Sequence, residues 1–314
     1  MQNLMAILWT DLLKCLSAGK AFLLNRQNEQ GMWQDYMLAP GASEAWTTSV
    51  VGWSLAQPPF IPGVVHALRH ATDALHQCRK LKGWGYNSQT AVDADSTAWA
   101  LRLLVILDDL RGLFPANFLT KFITSRGSAR TFLEFNRFGT WAKEHDDVTP
   151  LLGLVFAEYG GSSDLVAQLR QACLDSRNQS GLWDAFWWTT ESYAICRNLE
   201  FLEVSGGIPE EVWHISRDWL ASKTTAQSTF EVAQDLMVAI TLSLDITNYA
   251  YTLMKSQQEQ GNWLPSPVLL IPEQRSPTGQ TKDAYADPHS LMTTAMVTLA
   301  LGRAFLKVFP SEVR

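Results

Sequence analysis

Gln257-Gln258-Glu259-Gln260-Gly261-Asn262-Trp263 closes one apolar, helix-like segment and leads through a short loop into a second, more apolar one. The same Gly-x-Trp unit stands at Gln27-Asn28-Glu29-Gln30-Gly31-Met32-Trp33 and at Arg177-Asn178-Gln179-Ser180-Gly181-Leu182-Trp183, with looser versions at Phe135 to Trp141 and Arg79 to Tyr86. Full Gln-x3-Gly-x-Trp occurs in the units ending at Trp33 and Trp263. The units follow segments with apolar residues at helical spacing, such as Leu165, Val166, Leu169 and Cys173, so each glycine falls where a helix end needs a left-handed residue. A fixed unit recurring along the chain is the mark of a repeat architecture.

Working outward, six strongly apolar segments alternate with six more polar ones. The apolar six are Glu44 to Ala56, Ser96 to Leu107, Pro150 to Tyr159, Thr190 to Leu202, Phe230 to Leu244 and Ser290 to Leu306. The fifth polar segment, Glu210 to Ser222, lacks Gly-x-Trp but keeps Trp219. Helices apolar nearly all round belong inside, and amphipathic ones outside with one face inward. The pattern predicts an all-α fold, an (α/α)6 barrel of six inner and six outer helices, as one domain over residues 1–314. No segment alternates with period 2 for long enough to argue for a sheet, and Leu264 to Asp287, with four prolines, reads as an irregular rim or lid.

Composition narrows the function. With 314 residues, 46% hydrophobic and 18% charged, the chain can bury a large core. A formal net charge of −6 with no basic run gives no footprint for nucleic acid or an anionic membrane. Cys15, Cys78, Cys173 and Cys196 form no CxxC pair or metal-ligand spacing, which points to free thiols in a reducing, cytoplasmic setting without a metal or other cofactor. Asp11, Lys14 and Lys20 interrupt the apolar N-terminal stretch, so neither a signal peptide nor a transmembrane helix is expected there. Thirteen tryptophans are many for a residue whose face and N–H both need employment. The repeat residues Trp33, Trp141, Trp183 and Trp263 read as structural wedges, which leaves the inner-helix aromatics to line a pocket.

The Gln/Gly/Trp repeats, followed by Asp93-Ala94-Asp95-Ser96-Thr97-Ala98, resemble the squalene–hopene cyclase and class II terpene cyclase family, whose proton-donor motif is DxDD followed by Thr-Ala. The resemblance implies that Asp95 protonates the substrate and that Asp93 corresponds to the first aspartate, with Ser96 in place of the third. Family members usually join two barrels, whereas this chain has room for one, like the rarer monodomain cyclases. The ligand so implied is an apolar isoprenoid or a prenylated small molecule.

Protonating an alkene or epoxide needs a carboxylic acid kept neutral yet able to donate. Two carboxyls at i and i+2 supply part of that, because an ionised Asp93 would hold Asp95 protonated. His145, in Glu144-His145-Asp146-Asp147-Val148-Thr149-Pro150 at a helix start, is the expected orienting partner. The resulting cation needs aromatic faces, worth about 0.5 to 2 kcal/mol each. Trp46, Trp53, Trp99, Phe186, Trp187 and Trp188 are the candidates, with Ser96 and His289 beside the substrate. Asp and Ser before an apolar helix are also ordinary caps; it is the repeat context that favours the acid. An alternative reading is a non-catalytic or differently catalytic α/α barrel that binds an apolar natural product. A protein prenyltransferase zinc site would need Asp-x-Cys, which does not occur, and the magnesium-binding DDxxD motif is likewise missing.

Overall fold

The computed structural model describes residues 2–308 except 81, 110, 112, 227 and 276–280. The six most apolar segments form α2 (Ala45–Leu55), α4 (Ala94–Ile106), α7 (Thr149–Glu158), α9 (Glu191–Val204), α11 (Thr229–Thr241) and α13 (Leu291–Val308). Each starts and ends within three residues of its expected span. They pack in sequence, α2 on α4, then α7, α9, α11 and α13, and α13 returns to α2. Every residue of α2 is buried, as a helix with neighbours on all sides requires. α13 is long and apolar enough to cross a membrane, but most of it is buried against α1, α2 and α11.

The more polar segments form α1 (Gln2–Leu24), α3 (Val64–Cys78), α5 (Leu113–Leu119), α8 (Ser163–Asp175), α10 (Glu210–Ser222) and α12 (Thr247–Lys255), and α6 (Phe135–Phe138) is a single turn. Their burial is one-sided: α10 covers Val212, Ser216 and Leu220, and α8 covers Leu169, Ala172 and Cys173, at three- and four-residue intervals. Each lies against the circuit, α1 on α13, α3 on α2, α5 on α4, α8 on α7, and α10 and α12 on α11.

The Gly-x-Trp units stitch these layers together. The indole N–H of Trp33, Trp183 and Trp263 donates to the carbonyl ten residues earlier, on Leu23, Cys173 and Leu253, at 2.6 to 2.7 Å. The backbone N–H of Trp33, Trp84 and Trp263 donates to a threonine hydroxyl in the first turns of the next inner helix, Thr48, Thr97 and Thr294. Gln257 Nε2 bridges the Gly261 carbonyl and the Cys15 carbonyl of α1, both at 2.8 Å, which ties the last outer helix to the first. Gly261 has φ +91°, and a Cβ there would meet the Ala18 carbonyl oxygen at 2.4 Å, so only glycine fits.

Two short antiparallel hairpins depart from the all-helical expectation: β1 (Asp35–Leu38) with β2 (Gly41–Ser43), and β3 (Pro267–Pro272) with β4 (Thr281–Ala286). The second lies within the stretch expected to be irregular, of which 276–280 are outside the described residues. Pro267 and Pro272 begin and end β3, where proline is tolerated, and Leu269 pairs onward with Trp188.

Candidate active site

The N-termini of α2 and α4, the two hairpins and the loops before α7 and α9 enclose a cavity of about 270 Å³. Its wall is aromatic and apolar: Trp46, Tyr86, Phe132, Trp141, Trp187, Trp188 and Tyr285, with Leu38, Pro40, Leu269 and Ile271. Among the described residues, Asp93 and Asp95 are the only carboxylic acids on it, and no lysine or arginine lines it.

Asp93 is the N-cap of α4, as its position before an apolar helix predicts. Its Oδ1 accepts the Ser96 N–H at 2.6 Å and its Oδ2 accepts the Ser96 hydroxyl at 2.9 Å. Ser96 thus supports Asp93 from the cavity wall rather than only facing substrate. Burial pushes Asp93 up to about 7, with the Ser96 amide and hydroxyl opposing. The cap leaves Asp95 in the first turn, partly accessible, its open side facing the cavity. Burial raises the Asp95 carboxyl well above the usual range, the Asp93 and Asp147 carboxyls raise it further, and only Trp46 acts in the other direction. Its environment therefore favours the neutral form of the acid.

His145 does not pair with Asp95. Its Nδ1 accepts the Thr131 hydroxyl at 2.8 Å, and its Nε2 donates to the Thr140 carbonyl at 3.1 Å. Phe186 stacks on the ring, with centroids 3.8 Å apart. Burial pushes the imidazole down to about 3, so it is neutral and serves as a strut. Through Thr131, which also accepts the Trp187 indole N–H at 3.0 Å, that strut fixes one side of the cavity.

Trp46, Trp187 and Trp188 line the cavity as expected, and Trp188 stacks on Tyr193 and Phe230 at 4.1 and 5.0 Å. Phe186 lies behind Trp187 on His145 instead of on the wall. Trp53 and Trp99 are not at the cavity either. They sit edge to face at 5.7 Å, deeper in the circuit, with the Arg102 guanidinium over both rings and Arg303 over Trp53. Their faces are already occupied by cations. Arg102 bonds Glu158 and Glu200, and Arg197 and Arg303 converge on the same Glu200. Although burial works against its charge, these guanidiniums hold Glu200 well below the usual carboxylate range. His289 is exposed beside Arg26, Asn28 and Gln34, in a different depression, because Asp287-Pro288-His289-Ser290 is used to start α13. There Asp287 accepts the Thr293 N–H and hydroxyl.

Trp141 was expected to be a structural wedge, but it lines the cavity and donates its indole N–H to the Pro272 carbonyl. The distinguishing signal was local: no full outer helix precedes it, only the one-turn α6. Asp147, Phe132 and the first hairpin were not foreseen; Leu264 to Asp287 was expected as an irregular rim or lid, and its Leu269, Ile271 and Tyr285 do line the cavity, but as part of a hairpin. Among the described residues no group of three His, Cys, Asp or Glu side chains is placed to hold a metal ion.

At the sequence level no family model and no curated protein matches. Solved structures do match. The type II terpene cyclase MstE from Scytonema superposes with a TM-score of 0.85 at 24% identity, covering 95% of this chain and 99% of that one. A variant of MstE in complex with geranylgeranyl dihydroxybenzoate matches with a TM-score of 0.85 at 22% identity, over 96% and 99%. ent-Copalyl diphosphate synthase from Streptomyces platensis matches with a TM-score of 0.59 at 16% identity, over 82% of this chain and 50% of that one. The circuit of helices, its length and these superpositions agree: the chain has the fold of a monodomain type II terpene cyclase.

Proposed function

We propose that the protein is a class II cyclase that protonates the chain of an isoprenoid or prenylated small molecule, and that the helical circuit is the inner wall of an (α/α)6 barrel forming one cytoplasmic domain over residues 1–314. The observation that carries this reading is the Asp95 carboxyl, biased toward its neutral form and opening onto an aromatic cavity with no cation on its described wall. MstE, of the same fold, is described with geranylgeranyl dihydroxybenzoate as substrate, which supports a prenylated aryl ligand here.

In this reading the Asp95 O–H bond breaks as a C–H bond forms on the less substituted carbon of an alkene, or as an O–H bond forms on an epoxide. The positive charge appears on the tertiary carbon. Neighbouring double bonds of the chain close rings onto it. Trp46, Trp187 and Trp188 offer faces that stabilise the moving charge without reacting with it. Loss of a proton from the final cation leaves an isomer of the substrate, and Asp95 regains a proton for the next turnover. Ser96 keeps Asp93 in place, so that the second carboxyl stays beside the first.

The test is product analysis with geranylgeranyl and farnesyl substrates, free and aryl-linked, on wild type and Asp95→Asn. Wild type is expected to form cyclic isomers, and the variant to lose at least ~100-fold in rate, as for removal of a general acid. Full activity in Asp95→Asn would refute the assignment.

A further inference from the structure

Asp147 lies just before α7 and has no part in the chemistry above. It is wholly buried. Its Oδ2 accepts two backbone amides, Phe186 N–H at 2.9 Å and Trp187 N–H at 2.7 Å. Those amides begin the segment that carries Trp187 and Trp188 onto the cavity wall. Its Oδ1 is also buried, and among the described residues it has no hydrogen-bond partner. A buried carboxylate oxygen without a donor is costly unless something else requires it. An uncharged residue could not act on Asp95 as Asp147 does.

We infer that Asp147 is a positioning residue for the proton donor: one oxygen pins the Phe186–Trp187 backbone that forms the aromatic wall, and the other is left free so that its charge bears on Asp95. This rests on the reading of Asp95 as the acid. One carboxyl thereby links where the cation is shielded to how firmly the proton is held. The groups that face Asp95 are Asp93 from the cap of α4, Asp147 from the start of α7, Tyr193 from α9 and Trp46 from α2. Those that bear on Asp147 include Asp146 beside it, and Tyr193 in turn feels Arg197. Burial pushes Asp147 up to about 7, with the Trp187 and Phe186 amides opposing. With Asp147 ionised, Asp95 keeps its proton to higher pH.

Asp147→Asn keeps an oxygen for both amides, removes the charge and sets an amide NH2 where the unpartnered Oδ1 stood. The expected result is an unchanged tryptophan emission spectrum together with an alkaline limb of kcat that moves to lower pH by about half to one unit, a three- to tenfold loss on that limb with little change on the acid side of the profile. A profile that superimposes on wild type, or is scaled equally at every pH, overturns the inference. A measurement on the wild-type protein keeps it falsifiable if the variant does not fold. The infrared band of the protonated Asp95 carboxyl, identified by its loss in Asp95→Asn, should titrate over a broader range than a single independent group, because the carboxyls of Asp93 and Asp147 both bear on it. A single-group titration curve overturns the inference. If Asp95→Asn is fully active, the reading of the acid itself has failed instead.

Discussion

Replacing Gly261 by alanine tests how the first and last outer helices are joined, and Gly207 supplies the control. The two glycines share one backbone conformation, φ +91° and +90°. Any Cβ in that left-handed region costs roughly 1 to 2 kcal/mol, so this part of the penalty is common to both. They differ in what the Cβ meets. At Gly207 nothing lies within 4 Å, whereas at Gly261 the Ala18 carbonyl oxygen stands at 2.4 Å and its carbon at 2.7 Å. Restoring ordinary contact means moving the turn away from α1 by about 1 Å, which costs ~1 to 3 kcal/mol in a packed interior. The same movement stretches the 2.8 Å bond from Gln257 to the Cys15 carbonyl, worth ~1 kcal/mol. Gly261→Ala should therefore lose about 3 to 6 kcal/mol and Gly207→Ala about 1 to 2. With a urea slope of ~3 kcal/mol/M, the midpoints fall by about 1 to 2 M and by about 0.3 to 0.7 M. Equal shifts in the two variants would refute the close-approach argument.

Two further outcomes follow from the buried charges. His145 has its folded value pushed below the ordinary 6.5 to about 3, so the unfolded chain takes up a proton first, and stability is lost as pH falls from 6.5 toward 3; its ring resonances in NMR should stay flat down to about pH 4, and a midpoint near 6 to 7 would show that the strut is charged. Glu200→Gln leaves Arg102, Arg197 and Arg303 without the carboxylate they share and should cost about 3 to 5 kcal/mol in urea denaturation. Because the folded value of Glu200 is depressed, its contribution is present above the ordinary 4.5 and fades as pH falls below it, so the gap between wild type and variant should narrow from pH 6 to pH 3; a gap independent of pH would contradict the assignment.

The helical layers were legible in the sequence because burial on all sides and burial on one side leave different patterns. α2, with no exposed residue, could only be interior; Gly31, Gly181 and Gly261 are left-handed as expected, but they close turns six or seven residues beyond Leu24, Asp175 and Lys255 instead of capping the helices, which end on right-handed residues at Ser176 and Ser256. Asp95 was legible through its repeat context and the resemblance, and the cap Asp93 through its place before an apolar run. Misplacements arose where spacing along one helix was taken for position around the ring. Trp53 and Trp99 share helices with Trp46 and Asp95, but two turns and one turn further along they have left the cavity for the layer of Arg102 and Glu200. His145 shares a rim with Asp95, yet hydrogen bonds to Thr131 and Thr140 decide its orientation, and such long-range partners leave no periodic trace. The β3–β4 hairpin escaped notice because both strands are short and proline interrupts any alternation.

The clamp between Trp84 and Thr97 bears on how a substrate would be measured. Thr97 accepts the Trp84 N–H and donates to the Trp84 carbonyl, two residues from Asp95. With Asp95 as the proposed donor, such a bracket makes it a fixed end stop, and the double bond that receives the proton would be chosen by reach, from the acid to the hairpin residues Leu38, Leu269 and Tyr285 that also line the cavity. Exchanging those hairpins would change the length of the gauge while leaving its zero mark untouched.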